Sequence, residues 1–578
     1  MAEPVRSLSE PQNRIGAPLD SMGGQVNPHT RLWKLFGVHR RELTYVLAYA
    51  SAAGILSLAV PLAVQQLVNS IAFTNLMQPV LVLGAMVFAA LGLLGVMLAG
   101  QAWVVELVQR RLFINTVVDL AVRLIRVRQE GYDRQHGPEL LNRFFAMFAL
   151  QKAMSSLLAE GTAVLLQTVI GLALIAVYHP LLLNFSILVV AGLLALLRLT
   201  LSEATGTALQ ESKCKFETAA WLEELAGNPT TFRAESAARI SLEKANALAE
   251  GWLNSRRAHW RILFQQLLAL LIFQAVASAM LLSIGGWLVI NLQLTLGQLV
   301  ASEFVLSMVL AGLVKLAKQL EVYFDALANA DKLGVLVDLP VERSGGIHLP
   351  EVQTGMHVRL ASARLSRAER TVLSNGEALV EPGARVGFTG ATGVDLAALG
   401  ELMAGLREPE SGAIEYDTRD LRDLALRGLR CDIAYIEPAG IFAGTVLDNL
   451  QLGRPGVEWV HLRGALEAVG LWERIQALPA GLESPLTPQG EPLTLGETRQ
   501  LLLARAIAGN PRLIVVDEVL DGLDPQTQRR VLATLCDPRA RWTLIILSRN
   551  GAVLELMDKV YELENGLLTL RGETERRT

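Results

Sequence analysis

The chain has 578 residues, 51% of them hydrophobic and 19% charged, with a mean hydropathy of +0.36. Soluble domains carry about a quarter charged residues, so these values exclude one large soluble enzyme and a disordered chain, and they place part of the sequence in lipid. The net charge of −4 excludes a strongly basic nucleic-acid binder, and Cys214, Cys431 and Cys536 lie too far apart for a disulfide framework or a CxxC zinc site.

Residues 1–30 are polar, with no basic segment leading into an apolar run, so they read as a cytoplasmic tail without a cleavable signal. Arg31–Val38 (RLWKLFGV) is short and amphipathic; it reads equally as an interfacial helix and as ordinary charge beside a membrane. Beyond it, Lys and Arg are absent from Tyr49–Gln109, Leu157–Leu197 and Ile262–Val314. A helix crossing ~30 Å of hydrocarbon needs about 20 apolar residues, so each stretch has room for two helices and a turn. Turn residues fall near each middle: Asn69 to Pro79, Tyr178-His179-Pro180, and Asn291 to Gly297. Six transmembrane helices in three hairpins are expected.

The basic residues lie outside these hairpins, in the segments before the first and between them, and none lies in the hairpin turns. By the positive-inside rule both termini face the cytoplasm, in an inner, multi-pass membrane protein. The two inner connections have helical composition, as in Ala204–Glu250, so the helices should continue into the cytoplasm. Each connection has a break: Gly131-Tyr132-Asp133 with His136-Gly137-Pro138, and Gly227-Asn228-Pro229. Each break should expose a short helix at a cytoplasmic tip. Glu106, Glu160 and Glu303 interrupt the apolar stretches; intramembrane acids are candidates for proton coupling or a cationic substrate, and near a boundary they are simply solvated. Gly285-Gly286 and Gly312 would allow close helix approach.

Pro340 to Gly346 (PVERSGG) marks a boundary. The expected domains are the tail 1–30, a six-helix membrane domain 31–340, and a second domain 345–578. In the second, apolar runs shorten to strand length at Ala384–Thr389, Asp432–Ile436, Leu513–Val516 and Thr543–Leu547, separated by helical patterns. This alternation predicts an α/β domain on a largely parallel sheet.

The stretch Leu513-Ile514-Val515-Val516-Asp517-Glu518, preceded by Leu502–Pro511 and followed by Leu523-Asp524, resembles the Walker B strand and D-loop of an ATP-binding cassette (ABC) nucleotide-binding domain. Ile441–Leu450 resembles the segment after that family's Q-loop. With six spans in front, the chain from about residue 30 to about 575 resembles an exporter-type half-transporter, as in bacterial type I secretion and multidrug exporters. The fold class implied is a polytopic all-α membrane domain followed by an α/β P-loop-like ABC domain.

The resemblance implies ATP and magnesium as ligands and a head-to-tail dimer as the working unit, but the matching residues depart from the pattern. In the phosphate loop, Gly390 and Gly393 stand where the first glycines belong, while Asp395, Leu396 and Ala397 replace the last Gly, the Lys and the Ser/Thr. Leu396 offers no charge and Ala397 no metal ligand. Asp395 adds an anion; two like charges 4 Å apart repel by about 4 kcal/mol at an effective dielectric near 20. Asp395 is also expected to cap the helix Asp395–Ala404 in place of a phosphate. The Q-loop glutamine aligns with Glu437, the signature Leu-Ser-Gly-Gly-Gln with Leu493-Thr494-Leu495-Gly496-Glu497, the switch histidine with Ser548, and the adenine-stacking aromatic lies near Arg367. What persists is Asp517 as the magnesium-linked acid, Glu518 as a vestigial general base, and Asp524 as the dimer-contact acid.

No tightly bound cofactor or metal is therefore expected. The function expected is that of an ABC exporter-type transport subunit with ATP hydrolysis impaired or absent. Its partners would be the bilayer and, as a homodimer or a heterodimer, a second half-transporter; a secretion-type exporter would also engage periplasmic or membrane-fusion proteins. The alternative is a non-transporting membrane scaffold or receptor that uses a pseudo-ATPase domain for protein interaction. With about 30 residues before the helices, no N-terminal peptidase domain is expected.

Overall fold

The computed structural model describes residues 29–33, 40–73, 78–133, 143–367, 370–390, 392–452, 454 and 456–573. Outside them lie most of the N-terminal tail, the second half of the interfacial segment Arg31–Val38, residues 74–77 of the first hairpin turn, the His136-Gly137-Pro138 break, and Ala391 of the phosphate loop. The chain divides into two units: Met1–Arg126 with His136–Leu339, and Val127–Gln135 with Pro340–Thr578.

The described part of the first unit is helical. Helices α1 (Arg40–Leu56) and α2 (Ala59–Phe73) form one run with a break at Ser57-Leu58. The break falls one turn before Pro61, whose ring removes a helical N–H, and the Ser57 hydroxyl donates to the Gly54 carbonyl at 2.7 Å. Helix α3 (Gln78–Leu124) follows, then the short α4 (Gln129–Asp133), which belongs to the second unit. Helix α5 (Ala146–Ser156) passes through a π turn, Leu157–Gly161, into α6 (Thr162–Tyr178). Helices α7 (Pro180–Gly227), α8 (Glu235–Ile290) and α9 (Leu296–Val337) complete the unit.

Four runs, Arg41–Ser70, Val80–Leu124, Arg143–Tyr178 and Glu235–Ile290, are long and apolar enough to cross a membrane, and α7 and α9 contribute the apolar stretches Pro180–Leu196 and Leu296–Gly312. Six spans were expected; four of these runs meet the length and hydropathy of a span, and the other two are shorter apolar stretches at the expected places. Turn chemistry sets their ends. His179 is extended and its ring accepts from Leu181 N, with Pro180 at the first helical position. Thr295 and Gln298 form a capping box at the start of α9. The inner break at Gly227-Asn228-Pro229 ends α7 and leads through the turn Thr231–Arg233 into α8.

Leu172, Ile175, Phe185, Leu281, Leu306 and Val309 pack inside the bundle, while Leu81, Met86, Phe88 and Val96 of α3 face outward, as a lipid-facing helix requires. A Cβ at Gly171 would lie 2.8 Å from Val309, and one at Gly285 2.5 Å from Leu299. Of the three glycines expected to allow close helix approach, Gly285 alone makes one: a Cβ at Gly286 meets nothing, and one at Gly312 makes ordinary contact.

In the second unit the strands are β1 (Val358–Arg367), β2 (Arg370–Val380), β3 (Arg385–Gly390), β4 (Ser411–Tyr416), β5 (Arg419–Asp420), β6 (Ile433–Ile436), β7 (Gly444–Thr445), β8 (Pro485–Leu486), β9 (Leu513–Asp517), β10 (Thr543–Leu547), β11 (Lys559–Glu564) and β12 (Leu567–Glu573). The central sheet runs β12-β11-β3-β10-β9-β6, parallel apart from β12. The four strands read from sequence are β3, β6, β9 and β10, with ends shifted by a residue. An antiparallel sheet, β2-β1-β4-β5, was not legible. Its alternating burial packs Val358, Leu360 and Tyr416 against one face of β3 and β9. Along β9, Val515 enters this layer while Ile514 and Val516 face the helical layer with Leu501 and Leu502, the period-two alternation of a sheet covered on both sides. The carboxyl ends of β3, β9 and β10 meet along one edge, where such folds place their ligands.

Candidate phosphate-loop site

Strand β3 runs into the loop at Gly390, and the helix Gly393–Met403 begins after Thr392. Thr392, not Asp395, is the N-cap: its hydroxyl accepts from Asp395 N. The expected cap by Asp395 is thereby corrected. Asp395 is the third residue of the helix; the extended residue ahead of the helix is Thr392, and its side chain is the one that meets a free N–H of the first turn. The Asp395 carboxylate instead accepts from the Thr392 hydroxyl and from Arg370, whose Nη2 lies 3.0 Å away. Its other oxygen is buried with no hydrogen bond among the described residues.

Leu396, at the lysine position, is 0% exposed and packs with Leu399, Phe388 and Leu563 in the core. Ala397 next to it is half-buried. The loop's guanidinium partner therefore comes from β2, not from the loop itself.

Asp517 and Glu518 close β9. Asp517 is 5% exposed and accepts from the Tyr435 hydroxyl at 2.8 Å. Burial, with Glu518 and Glu401 nearby, pushes its carboxyl up to about 6 against the help of that hydrogen bond. Burial and the adjacent Asp517 raise the Tyr435 phenol as well. Glu437 follows β6; partial desolvation, then Glu401 and Asp517, hold it above the usual carboxylate range.

Glu518 adopts φ = +52°, a left-handed conformation that costs a non-glycine residue roughly 1 kcal/mol or more. The conformation lays its carboxylate against Gly393, where a Cβ would come within 3.0 Å of Oε1. There Glu518 pairs with Arg549 Nε at 3.1 Å. Ser548, at the switch position, is buried and donates to Asp521 at 2.5 Å. The loop, Asp517, Glu518 and Ser548 thus meet on one edge, and each polar side chain among them has a partner within the domain.

The signature segment opens the helix Leu495–Ala508. Leu493 is buried, Thr494 is the N-cap, and Thr494 and Glu497 form a reciprocal capping box. Glu497 also takes Arg474 Nε at 2.9 Å. Leu495 is 65% exposed, and Gly496 has open space around it. Asp524 caps the helix Pro525–Leu535, accepting from Gln526 N and Thr527 N; hydrogen bonding to the Thr527 side chain, then to these backbone groups, holds its carboxyl below the usual range. Among the described residues no hydrogen bond or ion pair joins Leu493–Glu497 or Asp524 to the phosphate loop.

The three membrane acids sit on separate helical runs. Glu106 of α3 is exposed and paired with Arg110 one turn on, at 2.8 Å. Glu160 lies in the π turn and accepts from Gln319 of α9 at 2.9 Å. Gln101 donates to the Leu158 and Ala159 carbonyls of the same turn. Glu303 is half-buried, and its Oε2 has no hydrogen bond among the described residues. Sequence reasoning missed Arg370, Arg549, Arg474 and Gln319, because what matters is the tertiary contact each makes. Only Arg549, directly after the switch position, carried a local signal.

The fold and this edge define an apolar helical domain followed by a nucleotide-binding domain of the ABC class. Residues 373–521 match the family model described as ABC transporter, and the chain as a whole has the fold of a bacterial ABC exporter. It superposes on the structure of a bacterial Atm1-family ABC exporter with ATP bound, with a TM-score of 0.78 and 20% identity, over 92% of this chain and 95% of that one. It is 25% identical over 299 residues to the alpha-hemolysin translocation ATP-binding protein HlyB of Escherichia coli O157:H7, a match over 51% of this chain and 42% of the relative. To the ATP-dependent lipid A-core flippase of Bordetella pertussis (strain Tohama I) it is 31% identical over 251 residues, 43% of this chain and 40% of the relative. The chain thus matches less than half the length of these curated relatives.

Proposed function

We propose that this chain is a membrane transport subunit of ABC exporter type whose own phosphate loop neither holds nor hydrolyses MgATP. The observation that carries the reading is Leu396, sunk completely into the core where the family's lysine would reach the phosphates. The polar groups around it point the same way. Asp395 is matched by Thr392 and Arg370, Glu518 by Arg549, and Ser548 by Asp521. Ala397 has no oxygen to give a magnesium ion. A triphosphate entering here would find no lysine to offset its charge, and the nearby Arg370 guanidinium already paired with Asp395. The residues present do not fit a magnesium–triphosphate complex. Asp517, Glu518 and Asp524 then serve as strand-end and helix-end structure.

On this reading the tail 1–30 and the domain 345–578 lie in the cytoplasm, the domain 31–340 lies in the inner membrane, and two subunits make the transporter. The absence of basic residues from the hairpin turns supports that orientation. Leu495 and Glu497 weigh against a composite site formed with an intact partner: one puts a side chain where backbone must approach phosphate, and the other adds negative charge.

The test is steady-state turnover and calorimetric titration of MgATP on the purified full chain in lipid, alone and with whatever membrane protein co-purifies. The expected result for the chain alone is no saturable binding and no turnover that Glu518→Gln alters. Turnover abolished by Glu518→Gln would overturn the proposal.

A further inference from the structure

A groove of about 440 Å³ runs between α7 and α8, near the start of α7 and the end of α8. Two stripes of side chains line it, each with the i, i+3, i+4, i+7 spacing of one helix face. One runs from Leu181 to Leu188 on α7, the other from Met280 to Trp287 on α8. Ser283, the smallest residue of the lining, opens the hollow between Met280 and Trp287, and the buried Phe185 forms its floor. At 1.5 Å per residue, Asn184 and Trp287 lie about 5–6 Å from these ends of their helices, and Leu188 and Met280 about 12–15 Å. The groove is therefore polar at its shallow rim and apolar at depth.

The rim is short of partners. The Ser283 hydroxyl is satisfied inside its own helix, donating to the Ala279 carbonyl at 2.8 Å. The Asn184 amide and the Trp287 indole N–H make no hydrogen bond among the described residues, and both side chains are exposed. Both lie in apolar stretches long enough, or placed, to sit in a bilayer, where an unpaired polar group is costly. Two donors at one depth above an apolar hollow are the complement of an ester group with an acyl chain below it. The volume falls within the roughly 300–1,000 Å³ usual for a small-molecule site. Two short stripes are few residues against the roughly 20–30 a side of a standard protein interface, which disfavours a second protein chain as occupant.

We propose that the α7–α8 groove is a binding site for one glycerophospholipid of the surrounding bilayer, with an acyl chain between the two stripes and its ester at the rim. Asn184 Nδ2 and Trp287 Nε1 donate to the ester oxygens, and the chain passes Ser283 and Phe185 toward Met280 and Leu188. The lipid is a resident of the fold and not cargo, so it stabilises the chain that binds it. The phosphate loop plays no part in the site, which stands whether or not MgATP binds.

The test uses the full chain and two probes. In detergent, native mass spectrometry with added palmitoyl-oleoyl-phosphatidylethanolamine should show one lipid retained per chain. Asn184→Leu keeps the bulk and removes the amide, while Ser283→Trp fills the hollow; each should lower occupancy roughly threefold or more. Should Ser283→Trp fail to fold, Asn184→Leu decides. In nanodiscs of phosphatidylethanolamine and phosphatidylglycerol, a phosphatidylethanolamine carrying a diazirine on one acyl chain locates the lipid. It should label residues 280–287 roughly threefold more than residues 81–96 of α3, which face outward without a groove. Occupancy indifferent to Asn184→Leu, or even labelling of the two faces, overturns the site. Disulfide formation between two copies through Ser283→Cys, in a chain whose native cysteines are serine, would assign the groove to a protein interface and overturn it as well.

Discussion

Asp517 shows what burial does to a single acid at the end of a strand. It sits at the end of β9, 5% exposed, with Tyr435 as its donor and a carboxyl near pKa 6. In the unfolded chain the same group titrates near 3.9. Below that value both states carry the proton. As pH rises from about 4 to 6, the unfolded chain releases it while the folded domain keeps it, so stability falls; above 6 the whole penalty, about 3 kcal/mol, is present. Asp517→Asn removes the penalty and keeps a hydrogen-bond acceptor for Tyr435. The variant should melt at a higher temperature than the parent at pH 7.5 and lose the parent's slope between pH 4 and 7; a lower midpoint at pH 7.5 would count against this account. The identities Asp395, Leu396 and Ala397 were legible in the sequence. Arg370 and Arg549 were not, because they reach Asp395 and Glu518 from other strands and loops, 25 and 31 residues away in sequence.

At the level of single elements, one local device recurs. Thr295, Thr445 and Thr494 each open a helix with Gln298, Asp448 or Glu497 three residues on, closing reciprocal capping boxes. Thr392 with Asp395 has the same spacing, but there the hydroxyl turns to the carboxylate. Read with that pattern in mind, Thr392 and not Asp395 is the cap that the sequence specifies. Glu497→Ala deletes half of one box together with the Arg474 pair. It should cost about 1 kcal/mol and lower the midpoint of the nucleotide domain by roughly 2–4 °C, measured calorimetrically; no change would mean that the box carries no stability. Hairpin turns were readable because His179-Pro180 and Thr295 are punctuation residues. The π turn at Leu157–Gly161 was not readable, since its one extra residue leaves the apolar composition unaltered and its freed carbonyls are satisfied from α3 by Gln101.

For the whole molecule, the two classes of structure could be inferred from hydropathy and strand-length runs, but the placement of Val127–Gln135 could not. It depends on Arg407 meeting Asp133 across 274 residues. Packing inside the membrane domain is equally non-local. Gly171 of α6 lies flush against Val309 and Val305 of α9, at 2.8 and 3.1 Å from a would-be Cβ. Gly171→Leu should therefore wedge these helices apart, at about 1–3 kcal/mol, and lower the melting midpoint of the chain in detergent. An unaltered midpoint would show that the contact is dispensable.

Helix α8 has 56 residues. At 1.5 Å per residue it is about 84 Å long, and a hydrocarbon core of about 30 Å leaves roughly 50 Å projecting beyond it. A rod of that reach is a lever: a tilt of 10° at the membrane surface swings its far end through about 9 Å. A small rearrangement among side chains at the membrane surface would in this way be magnified into a movement nearly as wide as a helix.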